Sequence, residues 1–426
     1  MSTNAATPPD AGVRAVLALR GFRTLWIGQA ISQVGDGLTN LAILIVVNQL
    51  TGSTAALAGV TIALALPQLV FGLFAGVFVD RWDRRRTMIV SDVLRGLIVL
   101  GLIAVRAPSE VWLLYVLAFA QASVGAFFNP AKSALIPRLV QRDALLAANS
   151  LSQTTQVVTG VIGTVLAGIL IAALGGAWIA FSLDALSFFL SALFIYTIRV
   201  EPQAEAAGAR RRGSILGELG EGLHTIASDR IMLGALVTFA VTMLGMGAVN
   251  VLFVPFLLND LRADTAMLGV VEAAQVVGMV VGSGLVAMIA ARLRVNWLIA
   301  GGVMGIGLMI AGAGFVGNMP TILVLLFVVG LFLTPVHAAN ATLMQQRVPD
   351  EKRGRVGSAM NTVIVLASVI SMAASGVLGD RLGIRKVFWG AGAVLLLAGL
   401  LAAFLMQERQ TQPATVSSGA EGATAE

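Results

Sequence analysis

The chain has no cysteine and only two histidines, His224 and His337. The first absence excludes disulfides, thiolate metal sites and cysteine nucleophiles. Without cysteine, two histidines cannot complete a conventional structural zinc site. Charge is also scarce. Asp, Glu, Lys and Arg make up 12 % of 426 residues, against about 25 % in an ordinary soluble domain. The three lysines follow Ala131, Glu351 and Arg385, so the chain has no Gly-Lys-Ser/Thr phosphate-binding element and an ATP-driven pump lacks its loop. A membrane enzyme would need a nucleophile beside its base, or a His–carboxylate metal set; neither stands out, and no cofactor is expected.

What is abundant is apolar. Hydrophobic residues make up 57 % of the chain, more than a soluble fold of this length can hide. A bilayer removes the conflict, because apolar side chains then face lipid. The 47 glycines suit close helix packing in that setting. Apolar stretches long enough to span recur at 22–49, 56–79, 88–105, 111–129, 150–174, 177–198, 231–258, 266–290, 296–316, 320–345, 356–378 and 386–406. They predict an all-α polytopic membrane protein of twelve transmembrane helices. The net charge of +6 sits between these runs. It is therefore a topology signal, with the bilayer and not nucleic acid as the implied partner.

The organisation follows from the polar intervals. Residues 1–21 form an N-terminal tail whose end, Val13–Arg23, suits a short amphipathic lead-in helix; the polar Met1–Asp10 stretch is unlike a cleavable signal. Residues 22–198 form a first six-helix bundle, 199–230 a linker bearing Arg210–Arg212, 231–406 a second bundle, and 407–426 a tail whose composition predicts disorder. With the N-terminus inside, about 22 Lys and Arg fall in inner segments and 5 in outer ones, namely Arg106, Arg262, Arg381, Arg385 and Lys386. That bias places both termini and the linker in the cytoplasm, in an inner cell membrane. An offset of 208 residues lays Gly76 on Gly284, Arg84 on Arg292, Val140 on Val348, Gly168 on Gly376 and Leu174-Gly175 on Leu382-Gly383. The halves are thus expected to be parallel repeats around a central cavity, an arrangement found in secondary transporters.

The segment Gly76-Val77-Phe78-Val79-Asp80-Arg81-Trp82-Asp83-Arg84-Arg85-Arg86, after the second span, resembles the loop signature of the major facilitator superfamily. Gly76 would admit a close helix, and Asp80 would accept charge-assisted hydrogen bonds or cap a helix across the interface. The alternative is a basic loop that only fixes topology. The family has Gly where Asp83 stands here. Phe22-Arg23-Thr24-Leu25-Trp26-Ile27-Gly28-Gln29 with Gly35-Asp36, Phe128-Asn129-Pro130-Ala131 to Ala148-Asn149-Ser150, and Asp184-Ala185-Leu186-Ser187-Phe188-Phe189 resemble its macrolide-efflux and enterobactin-exporter branch. The resemblance implies a monomeric exporter of small hydrophobic or amphiphilic compounds, driven by proton entry. Lysophospholipid transporters share the segment between the fourth and fifth spans, so lipid transport is the alternative, and a non-transporting receptor a remoter one. Gln121 stands where many proton-coupled drug exporters carry Arg, and the fifth span lacks their Gly-Pro pair.

Charges inside spans are costly, by about 2.5–3.5 kcal/mol at a helix centre, and invite a functional explanation. Asp36, in the first span, is the leading candidate for binding a proton or cation; the resemblance implies that the first, fourth, seventh and tenth spans line the cavity. Glu272 in the eighth is the second candidate. For both, a structural carboxylate is the alternative. Gln29, Gln33 and Asp36 follow one another by four and three residues and share one helical face. Gln121, Asn250, His337 and Asn340 are further cavity candidates, each of which could instead make an interhelical hydrogen bond. Asp92 and Arg95 are spaced to pair on one face of the third span, and with Gly76, Asp80, Arg81, Arg84 and Arg85 form the expected conformational latch. Asp184, in a span that is peripheral in this fold, is read as packing.

Overall fold

The computed structural model describes residues 12–79, 81–199, 215–289 and 294–407. Among them the chain is helical throughout, with no strand. A short α1 (Val13–Ala18) leads into α2 (Arg20–Thr51), α3 (Thr54–Val79), α4 (Arg84–Leu102), α5 (Val111–Leu139), α6 (Leu145–Leu174) and α7 (Trp178–Thr197). The polar linker contributes α8 (Ile215–Ser228). The second half follows as α9 (Arg230–Pro255), α10 (Thr265–Ile289), α11 (Val295–Ala313), α12 (Met319–Arg347), α13 (Arg353–Leu382) and α14 (Ile384–Leu405). Among the described residues eleven helices are long and apolar enough to cross a membrane. The twelfth, α4, is made too polar by Arg84–Arg86, Asp92 and Arg95.

Local chemistry sets the helix ends. Asp83 accepts from the Arg86 N–H at 2.7 Å, Asp229 from the Ile231 N–H at 2.8 Å, and Asn318 from the Thr321 N–H at 3.0 Å, each satisfying an orphan donor of a first turn. Asp83, the departure from the superfamily loop, is thus the N-cap of α4. At the other ends Gly175 and Gly383 stop α6 and α13 at φ +68° and +85°, where a side chain would be strained. These glycines are one pair of the 208-residue offset. Helix α5 does not end at residue 129: it runs through Pro130 and Pro137 to Leu139. Helix-breaking residues are tolerated inside such bundles, where neighbours re-satisfy the freed backbone groups.

The packing repeats with the sequence. In the first half α2 packs on α6 and α7, α3 on α5, and α4 on α5 and α7. In the second, α9 packs on α13 and α14, α10 on α12, and α11 on α12 and α14. Each contact has its counterpart seven helices on. The halves meet through α3 with α13 and α6 with α10, again equivalent pairs. Gly376 of α13 faces Ala55 of α3, and Gly168 of α6 faces Ala266 of α10, so the superposable glycines sit in the two equivalent seams. Helix α8 belongs with the second half: Gly222 packs on Ala359 of α13, and Glu221 pairs with Arg355 at 2.6 Å.

Among the described residues every hydrogen bond between the halves lies at one end, where α2 joins α3. The Asp380 carboxylate, at the end of α13, accepts from Ser53 Oγ (2.8 Å), the Thr54 N–H (2.7 Å), Thr54 Oγ1 (2.8 Å) and the Ala55 N–H (3.2 Å). It caps a helix of the opposite half. Asn48 and Asn259 exchange two amide hydrogen bonds at 3.1 Å, and Thr265 reaches the Gly168 carbonyl at 3.5 Å. Of the basic cluster at this end, Arg385 pairs with Asp260 at 3.3 Å, donates to the Val316 carbonyl at 2.8 Å and lies over the Phe256 ring. Its charge therefore has a structural task within the second half.

Candidate functional site

Two adjoining hollows of about 220 and 470 Å³ open inside the first half and share Gln33, Asp36, Leu64, Arg95, Gly125 and Gln156 in their walls. Helix α2 supplies the Gln29, Gln33 and Asp36 stripe, α3 Leu64 and Gln68, α4 Arg95, α5 Gln121, Asn129 and Lys132, and α6 Gln156. The lining is rich in amides and short of aromatic rings.

The centre of the site is an ion pair between Asp36 and Arg95. Their side chains are 30 % and 13 % exposed, so the pair is partly withdrawn from water and open to the cavity on the Asp36 side. The guanidinium also stacks over Phe188 of α7, 4.1 Å from the ring centroid, a contact worth about 1–2 kcal/mol when desolvated. Gly125 lies beside it, where a Cβ would make an ordinary contact 3.7 Å from Arg95 Nε. Gly35 makes room for Asp184: a side chain at 35 would overlap its carboxylate and the Ser187 hydroxyl. The Gly35-Asp36 sequence therefore places a carboxylate on the cavity while admitting α7 behind it.

Two further carboxylates lie behind the pair. Asp92 and Asp184 are fully buried. Asp184 accepts from Ser187 at 3.2 Å and keeps its other oxygen unpartnered. Asp92 lies beside Ser191 with neither oxygen in a well-formed hydrogen bond. Arg95 takes Asp36 of α2 rather than Asp92 three residues back, because its side chain reaches across the helix seam to the cavity. Asp184, read from sequence as packing alone, belongs to the same group of charges.

The other candidates are distributed. Gln29 donates to Ser191 at 3.4 Å and Gln33 accepts from Thr159 at 3.0 Å, tying the stripe to α7 and α6. Gln121 is 5 % exposed, with an unpartnered Oε1 at the cavity wall. Glu272 lies beside Thr164 at the α6–α10 seam, away from this lining. Asn250 and His337 are exposed, and Asn340 keeps a buried, unpartnered oxygen; none of the three lines these hollows. Of the expected latch, Asp80 lies outside the described residues and Gly76 is in the last turns of α3. Arg81 is exposed. Arg84 opens α4 with an unpartnered Nε, and Arg85 holds the end of α7 through the Ile195 carbonyl at 3.1 Å and the Tyr196 carbonyl and ring. Sequence reasoning missed Gln68, Asn129, Lys132 and Gln156. Gln68 and Gln156 are signalled by being polar inside apolar runs; Lys132 was hidden by ending the fourth span before it.

Comparison with known proteins agrees with this architecture. A family model described as transmembrane secretion effector matches residues 11–421. The chain is 30 % identical to a multidrug efflux pump of Mycolicibacterium fortuitum, over 88 % of this chain and 93 % of that one. It is 24 % identical to macrolide efflux protein A of Streptococcus pyogenes, over 91 % and 96 %. The crystal structure of the nucleoside transporter NupG shares the fold with a TM-score of 0.73 at 11 % identity, covering 91 % of this chain and 99 % of that one. A whole-chain family match, twelve helices in two parallel repeats and a cavity inside the bundle converge on one statement: the chain belongs to the transmembrane secretion effector family of major facilitator superfamily transporters.

Proposed function

We propose that this protein exports small amphiphilic compounds across the cell membrane by alternating access, with proton entry as the driving force and Asp36 as the proton-binding group. The reading is supported by two observations among the described residues: the hydrogen bonds between the halves lie at the end where α2 joins α3, and Asp36 is the carboxylate that lines the cavity. The positive-inside bias puts the clasped end outside, so the cavity faces the cytoplasm, where cargo is collected. The relatives named for macrolide and multidrug efflux support a drug-sized cargo leaving the cell.

Coupling follows from the ion pair. A proton on Asp36 removes its charge and frees the Arg95 guanidinium, so proton arrival weakens the tie between α2 and α4 at the cavity wall. Release of that proton restores the tie. The test is flux in vesicles holding the purified chain, with amphiphiles of either charge, with and without an imposed pH gradient. Gradient-dependent accumulation is expected, and Asp36→Asn should abolish it while the melting temperature shows a folded protein. Flux indifferent to both the gradient and the substitution would remove proton coupling through Asp36.

A further inference from the structure

The cavity carries more positive than negative charge. Asp36 is already engaged by Arg95. Lys132 of α5 lines both the main cavity and a smaller pocket running toward Phe22 and Trp26. Among the described residues no carboxylate lies within ion-pair distance of its ammonium, and Asp36 is the one acid whose field reaches it. The elements around the cavity add no balancing charge. Helix α6 has no charged residue, and α3 none among its described residues. Asp92 and Asp184 are fully buried behind the wall, and Glu272 stands away at the α6–α10 seam. One negative group thus faces two positive ones.

A lysine near a helix end often serves only to mark topology. Here α5 continues seven residues past Lys132 to Leu139, and Lys132 opens onto the hollow rather than past the helix end. The neighbouring amides point the same way. Gln68, Asn129 and Gln156 are exposed to the cavity and make no side-chain hydrogen bond among the described residues, and the buried Gln121 Oε1 is unpartnered. A primary amide both donates and accepts, which matches hydroxyl groups that do the same. An apolar lipophile would leave these groups unpaired, which is costly.

We infer that the cargo is a hydroxyl-rich compound bearing a carboxylate, with Lys132 as the counter-ion of its acidic group and the cavity amides taking its hydroxyls. The inference rests on the exporter reading, because it assumes that this cavity holds the cargo. It sharpens "amphiphilic" to an acidic, oxygen-rich class.

The test uses three aryl glycosides that share one aglycone: the glucuronide, the neutral glucoside and the 2-amino-2-deoxyglucoside. Binding to the purified full-length protein is measured by equilibrium dialysis. The glucuronide should bind about fivefold more tightly than the glucoside, the scale of one partly screened ion pair, and the amino sugar should bind most weakly. Rising salt should narrow the gap. Lys132→Gln should bring the glucuronide down to the glucoside's affinity, and Lys132→Arg should keep the preference. Tightest binding of the amino sugar, no binding of any of the three, or a preference that persists in Lys132→Gln would each overturn the assignment. The wild-type ranking alone decides if a variant fails to fold. Failure of gradient-driven flux with the glucuronide still bound would instead fall on the proton-coupling reading.

Discussion

Replacing Asp380 by Ala removes the main acceptor that joins the end of α13 to the start of α3, leaving the Gly376 carbonyl with its bond from Thr54 Oγ1. Four hydrogen bonds converge on that carboxylate, two of them from backbone N–H groups of a first helical turn. A hydrogen bond to a charged acceptor contributes about 1.5–3 kcal/mol, and a lost N-cap costs about 0.5–2 kcal/mol. The four share one carboxylate and are not additive. Asp380 is exposed, and water replaces much of what is lost. A net shift of about 2 kcal/mol in favour of separated outer ends is the reasonable figure, a factor of about 30 in the closed-to-open ratio. Asp380→Asn keeps one acceptor oxygen and should shift the ratio less. The absence of native cysteine makes the assay direct. Spin labels at Arg106→Cys and Gly317→Cys, in exposed connections of the two halves at the clasped end, report their separation by pulsed electron resonance. Asp380→Ala should move a substantial population to longer distance. An unchanged distance distribution would refute the idea that this carboxylate holds the outer seam.

Two further outcomes test the packing. Gly163 of α6 faces α2 so closely that a Cβ would stand 2.9 Å from Gly37 Cα, whereas a Cβ at Gly160 would meet nothing within 4 Å. Gly163→Ala should therefore cost about 1–3 kcal/mol, read as a lower melting temperature in detergent, while Gly160→Ala should leave it unmoved. Asp83→Ala should lose about 1 kcal/mol by uncapping α4, with cargo affinity unchanged; a marked loss of affinity would mean that the loop reaches the cavity.

The spans are legible because lipid imposes long apolar runs that a soluble fold does not need. The duplication is legible because three kinds of position must recur in both halves: the stopping glycines 175 and 383, the helix-ending valines 140 and 348, and the seam glycines 168 and 376. Helix α5 is misjudged at its end because the apolar run stops at residue 129, whereas the helix continues through Pro130 and Lys132 to Leu139. Asp36 stands out as a charge in a span, but its partner does not. Periodicity points Arg95 at Asp92 on its own helix, and only the approach of α2 to α4 and α7 makes Asp36 the better acceptor. Lys132 is overlooked for the same reason: a helix face is local, whereas a cavity is assembled from five helices.

The outer clasp is chemically lopsided. On the α3 side, two of the donors are backbone amides, which every residue but proline provides. Position 55 could drift through most of the amino-acid alphabet without disturbing its bond. On the α13 side the Gly376 carbonyl accepts from Thr54 Oγ1 at 2.6 Å, but the other four bonds end on one side chain, Asp380. Mutational vulnerability of the seal is therefore concentrated at codon 380, and a resistance or loss-of-function screen should return changes there far more often than in the helix it caps.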